Sequence, residues 1–158
     1  MMAAEDNVKE REGRCRMAEI TRSGTSTWKG DLKSGSGVAS VGSGLFSDAT
    51  VTYASRFEQG SGTSPEELVG AAHAACYSMA LANSLSEQGF TPERITTQAT
   101  VVLEGLKITK IHLTTDATVP EIDDAAFQAI AEETKAGCPI SGLVGPGLQE
   151  MTLTATRQ

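Results

Sequence analysis

The fold class written into this sequence is α+β, and three observations point to it. Two stretches carry helix signals at both of their ends. The segments around them alternate apolar and polar residues with a period of two. The blocks run strands, long helix, hairpin, second helix, strand. At 158 residues and 39% hydrophobic content the chain can bury one real core, and two domains would be cramped. The expected architecture is antiparallel sheet packed on two central helices, with a loose arm over residues 1–22 and a single domain over 23–158.

The arm is assigned because residues 1–22 hold five acidic and five basic side chains among few apolar ones. Cys15 falls in it and reads as an incidental exposed thiol. From Thr25 to Phe57, Gly, Ser and Thr are punctuated by the strand-like runs STW, GVASVGSG and ATVTYASRF, which suggest a small antiparallel meander. Gly35, Gly37, Gly42 and Gly44 match neither the dinucleotide nor the phosphate-loop spacing and are assigned to turns. Alternation through the third run places Val51, Tyr53, Ser55 and Phe57 on one face, and Arg56 on the other at the strand's end.

The stretch from Ser64 to Gly89 then reads as one long helix. Ser64 can accept from exposed amides, Pro65 suits the first helical position, Glu67 closes a capping box and Gly89 supplies a left-handed stop. No formal charge stands between Glu67 and Glu87 if His73 is neutral, so the helix is expected to lack a solvated face and to be mostly buried. Its Ala, Gly and Ser content lets another backbone approach closely. A membrane span is disfavoured, because Gly, His, Ser and Asn dilute the run and it barely reaches the ~20 apolar residues needed.

Beyond Thr91-Pro92, Ile95, Thr97, Ala99, Val101 and Leu103 share one face of a strand. A turn through Gly105 leads to a second strand with Ile111, Leu113, Ala117 and Val119 inward, and Lys110, His112, Thr114 and Asp116 on the wet side. Glu121, Asp123 and Asp124 crowd the start of the second helix, where negative charge suits its dipole, and Phe127, Ile130, Ala131 and Thr134 form its stripe. Lys135, Gly137 and Pro139 stop it, which leaves Cys138 at the break, heading a turn made from PISGL with its sulfur near free amides. LQEMTLTAT closes the chain as a further strand.

A net charge of -7 argues against nucleic-acid and anionic-membrane partners, since both reward clustered Lys and Arg. Three cysteines are too few and too unevenly spaced for a disulfide-stapled secreted scaffold, and no hydrophobic signal segment precedes them. The cytoplasm is therefore expected, and there a functional disulfide is catalytic or sensory. No cofactor pattern stands out, and three cysteines with two histidines lack zinc-ligand spacing. A Cys–His hydrolase built on Cys76 and His73 is open on residue type. However, two residues three apart on one helix do not give an aimed nucleophile–base pair.

Redox chemistry asks for less: one thiolate to attack an O–O bond and a second thiol to trap the sulfenic acid. A thiolate in an apolar setting needs a fixed cation, and Arg56 is the best candidate by type. At this point the run SRFEQGSGTSPEELVGAAHAACYSMAL, with AGCPIS in the second half, resembles the osmotically inducible protein C and organic hydroperoxide resistance (OsmC/Ohr) family. The resemblance reaches from about Thr25 to Thr156. It implies an α+β protomer intertwined with a second copy as a homodimer, active sites at the interface, and thiol-dependent reduction of organic hydroperoxides.

Carried over by position, Cys76 is the peroxidatic cysteine, Cys138 the resolving one, Arg56 the activating arginine and Glu66 the carboxylate holding it. An external thiol or dithiol is the implied reductant. The GGRxG segment of the hydroperoxide-resistance branch, for which lipoyl-type dithiols are expected, is absent, and AAHAAC looks like the osmotically inducible branch. One carry-over is strained by geometry. Ten residues of ideal helix set Glu66 and Cys76 about 15 Å apart, so they cannot touch directly. A non-catalytic redox sensor or small-molecule carrier using the same two cysteines stays open beside the peroxidase.

Overall fold

A computed structural model describes residues 19–158, so most of the arm assigned to residues 1–22, with Cys15, lies outside the described residues. The first sheet is the expected meander: β1 (Gly24–Lys29), β2 (Ser36–Val41) and β3 (Ala49–Thr52), antiparallel and in that order. Gly37 belongs to β2 rather than to a turn, and a Cβ there would stand 2.7 Å from the Trp28 ring, so the bare backbone makes room for the indole.

The third strand is shorter than alternation suggested. At Thr52 the chain turns into a helix, α1 (Tyr53–Phe57). The Thr52 hydroxyl accepts from the Ser55 amide at 2.9 Å, and the Ser55 hydroxyl accepts from the Thr52 amide at 2.9 Å. This reciprocal capping box satisfies two donors that a strand would have to pair elsewhere, and it overrides the two-residue rhythm. Arg56 consequently sits in the last turn of a helix and not at the end of a strand.

The long helix, α2 (Pro65–Glu87), has the predicted start: Ser64 and Glu67 close a capping box with Pro65 in the first turn. Gly89 stands just past its end at φ +87°. Its buried face is Glu66, Gly70, His73, Tyr77, Leu81 and Leu85. The expectation of a mostly buried helix does not hold for the single chain, because sheet and helices cover only that face. Ala71, Ala72, Ala75 and Met79 are exposed on the other.

The second sheet, β4 (Arg94–Glu104), β5 (Lys107–Thr118) and β6 (Glu150–Arg157), lies against α2 in the order β4-β5-β6. The hairpin is antiparallel as read, with a register shift between Val102 and Leu103. In contrast, β6 runs parallel to β5, against the all-antiparallel expectation. The connection explains it. From β5 the chain crosses over through α3 (Asp124–Gly137), α4 (Pro139–Val144) and a 3-10 turn (Gly145–Gly147), and a crossover containing helix is what a parallel pair requires.

The core gathers Tyr77, Leu81 and Leu85 of α2, Leu113 and Ala117 of β5, and Phe127, Ile130 and Ala131 of α3, and it includes Cys138. Polar ties fix the register of these layers. The Tyr77 hydroxyl donates to the Ala131 carbonyl at 3.0 Å, and Ser78 donates to Thr97, which meets Thr115 at 2.9 Å. Among the described residues no helix is long and apolar enough to cross a membrane.

Candidate active site

Two neighbouring elements bring the structured cysteines together. Cys76 lies in the middle of α2, and Cys138 is at once the C-cap of α3 and the N-cap of α4, where the chain breaks ahead of Pro139. Although 62 positions apart, their sulfurs are 3.3 Å from one another, both as free thiols. Cys138 is 1% exposed, whereas Cys76 is only partly buried and is the thiol a solute can reach.

Their surroundings divide the proton unequally. Burial pushes the Cys76 thiol up, the Ile140 amide pulls against it, and negative charge on Cys138 pushes it further. Burial also pushes Cys138 up, but the Ser141 amide, the Cys76 thiol, the Ser141 hydroxyl and the Ile140 amide together outweigh burial and hold it below the ordinary thiol value. Amides at positions N2 and N3 of α4 are helix donors without intrahelical partners, so a sulfur at the N-cap is their natural acceptor. Within one chain, therefore, Cys138 is the more readily ionised thiol of the pair.

The other two predicted residues form a second pair. Arg56 Nη2 donates to Glu66 Oε1 at 2.7 Å, and its Nε lies 3.2 and 3.3 Å from the two carboxylate oxygens, a forked contact. Burial raises the Glu66 carboxyl, but the Arg56 hydrogen bonds and charge outweigh it and hold the group below its ordinary value. Both side chains line a cavity of about 350 Å³ with Ser64, Glu67 and the β4 residues Gln98 to Val101. Arg56 is not among the groups acting on Cys76. The structure thus joins Cys76 to Cys138 and Arg56 to Glu66, and leaves the pairs about ten helical residues, or about 15 Å, apart along α2.

His73 does not serve Cys76. Its ring is fully buried, with Nε2 at 2.8 Å from the Ser141 hydroxyl, which removes the base of the Cys–His hydrolase. Ser141 itself escaped the sequence reading. Its signal was position alone, three residues past Cys138 in the short helix that Pro139 opens. His112 keeps its place on the polar side of β5 and meets Thr152 at 2.6 Å. Among the described residues no three His, Cys, Asp or Glu side chains are grouped to hold a metal ion.

The family model described as OsmC-like protein matches residues 58–149, more than half of the chain and including Glu66, Cys76 and Cys138. The chain belongs to the OsmC family. It is 48% identical over 126 residues to the peroxiredoxin OsmC of Escherichia coli (strain K12), covering 77% of this chain and 88% of that protein, and the same figures hold for the peroxiredoxin OsmC of Shigella flexneri. Solved OsmC and Ohr structures share the fold at low identity. An OsmC-like protein from Mycoplasma pneumoniae superposes with a TM-score of 0.67 at 14% identity, over 87% of this chain and 99% of that one. The organic hydroperoxide resistance protein OhrB of Bacillus subtilis gives 0.59 at 22%, over 86% and 98%.

Proposed function

We propose that this OsmC-family cysteine peroxidase reduces organic hydroperoxides to alcohols through a Cys76–Cys138 disulfide cycle. Cys76 thiolate attacks one peroxide oxygen, the O–O bond breaks, and the alkoxide leaves as alcohol after taking a proton, with Cys76 left as the sulfenic acid. Cys138 thiolate attacks that sulfur and expels hydroxide, which leaves as water, so the two thiols have supplied the electrons and become a disulfide. An external thiol or dithiol reopens it. The observation that carries this reading is the sulfur pair: two free thiols 3.3 Å apart, one reachable and one sealed. The donors around the sealed partner hold its thiol below the ordinary value, which favours the thiolate that the second step needs.

The first step needs Cys76 ionised, and burial opposes that. A homodimer supplies the missing cation. On α2 the point midway between positions 66 and 76 is Ala71, which is exposed and small, as are Ala72 and Ala75. Two copies of α2 crossing antiparallel about Ala71 bring the Arg56–Glu66 pair of one copy to Cys76 of the other and cover the uncharged face. Met79, 75% exposed one turn beyond Cys76, gives the mouth an apolar wall suited to alkyl or lipid-like peroxides. Such a protein works where thiol reductants are abundant, so the cytoplasm is its proposed compartment. The test is turnover of cumene hydroperoxide with a dithiol. Cys76→Ser abolishes it, and undiminished turnover in that variant would end the proposal.

A further inference from the structure

Cys138 joins α3 to α4, so its reach to Cys76 depends on both helices staying against α2. The second of them has little hold of its own. At six residues α4 is far below the roughly 12–15 at which a helix stands alone in water, so tertiary ties set its place. Its Pro139, Gly142 and Leu143 are exposed, Ile140 and Val144 are half-buried, and Ser141 is the one buried residue it contains. That anchor is polar. The Ser141 hydroxyl stands 2.8 Å from Nε2 of His73, which is fully buried in α2.

Ser141 lies three positions after Cys138, and His73 three before Cys76, so the contact sits within one helical turn of each sulfur. On the other side of the break, Tyr77, next to Cys76, donates to the Ala131 carbonyl of α3 at 3.0 Å. The long helix thus grips the chain both before and after Cys138, and between the two grips the sulfurs stand 3.3 Å apart.

A bare nitrogen gives the direction of the contact. Among the described residues, His73 Nδ1 has no hydrogen-bond partner, and burial lowers the imidazole below its ordinary value, so the ring is neutral with one proton. A buried N–H left unpaired costs more than an unfilled lone pair, so the proton sits on Nε2 and His73 donates. We propose that His73 is a positioning residue whose Nε2 hydrogen bond to Ser141 clamps α4 to α2 and holds Cys138 within reach of Cys76. The inference rests on the disulfide cycle and names what places its second thiol. In the step it serves, the Cys138 thiolate attacks the Cys76 sulfenic sulfur. The S–S bond forms, the S–O bond breaks, and hydroxide leaves and takes a proton to become water. Without the clamp α4 moves in the dithiol form, and closing the disulfide must also order it.

The test equilibrates the full chain carrying Cys15→Ser with reduced and oxidised glutathione and reads the Cys76–Cys138 disulfide by intact mass. There the two thiols give two electrons and two protons to oxidised glutathione, which becomes two thiols. His73→Leu and Ser141→Ala are each expected to lower the equilibrium constant for closure about tenfold, a potential about 30 mV less reducing. The double variant falls no further than either alone, because both remove one bond. His73→Gln, whose side-chain amide can donate to Ser141, recovers most of the loss. Ser78→Ala, which cuts a tie from α2 to Thr97 of β4, leaves the constant unchanged. An unmoved constant in Ser141→Ala, or an equal fall in Ser78→Ala, overturns the proposal. A second measurement needs no variant. Nitrogen NMR of the wild-type protein should show His73 protonated at Nε2, and an Nδ1-protonated ring overturns the clamp. Neither readout uses peroxide. A wild type that closes the disulfide in glutathione but does not turn over hydroperoxide counts against the cycle, whereas an unmoved Ser141→Ala counts against the clamp alone.

Discussion

At Glu66 two opposing effects are large and one wins. Taking a carboxylate out of water favours its neutral form, yet the forked guanidinium of Arg56 holds it ionised, with the glutamate side chain 10% exposed and the arginine 31%. The sign of the consequence follows. A carboxyl whose folded value is below its unfolded one adds stability that is complete above the unfolded value, near the ordinary 4.5, and is lost as pH falls through the folded value. Thermal melts of wild type should therefore fall in that acid window more steeply than those of Glu66→Gln, and parallel curves would mean that the fork contributes nothing. The cysteines show the reverse balance. With no cation acting on it among the described residues, Cys76 is governed by burial, while at Cys138 the α4 donors and the Cys76 thiol together outweigh burial.

Each of the elements holding these residues depends on one local feature. Gly70 faces β4 so closely that a Cβ would meet the Ala99 carbonyl oxygen at 2.9 Å, a backbone atom that cannot swing aside. Gly70→Ala gains about 1 kcal/mol of helix propensity, but overpacking costs about 1–3 kcal/mol. Chemical denaturation should show a net loss of stability, and a gain would mean that α2 and β4 separate freely. What the sequence revealed follows the same division between local and remote causes. Ser64, Glu67 and Gly89 announce the ends of α2 because caps act within four residues. The stripe Phe127, Ile130, Ala131 and Thr134 is legible because periodicity carries burial. The turn from β3 into α1 was hidden because the Thr52–Ser55 box competes with a run of β-forming residues, and side-chain capping won. The direction of β6 could not be read from its own alternation, since a strand looks the same whichever way its neighbour runs.

The whole molecule raises the question that one chain leaves open, the distance between its two candidate pairs. That Cys76 and Cys138 meet was expected from residue type and family resemblance, and their sulfurs are adjacent. The separation of Arg56 and Glu66 from them was already implied by ten residues of helix rise, and the structure keeps it. The proposed dimer crossing at Ala71 would bring the pairs together, and mixing inactive variants tests it. Arg56→Ala and Cys76→Ser, combined and allowed to exchange subunits, should recover roughly a quarter of wild-type turnover, because half the dimers carry one complete site. An arginine acting within its own chain recovers none. The most direct measurement of the central claim is intact mass after one equivalent of organic hydroperoxide, in wild type and in Cys138→Ser. The account predicts loss of two hydrogens in the first, as the Cys76–Cys138 disulfide forms, and gain of one oxygen in the second, held at Cys76. A wild-type chain that keeps the added oxygen, or a Cys138→Ser chain that closes a disulfide just as fast, would contradict it.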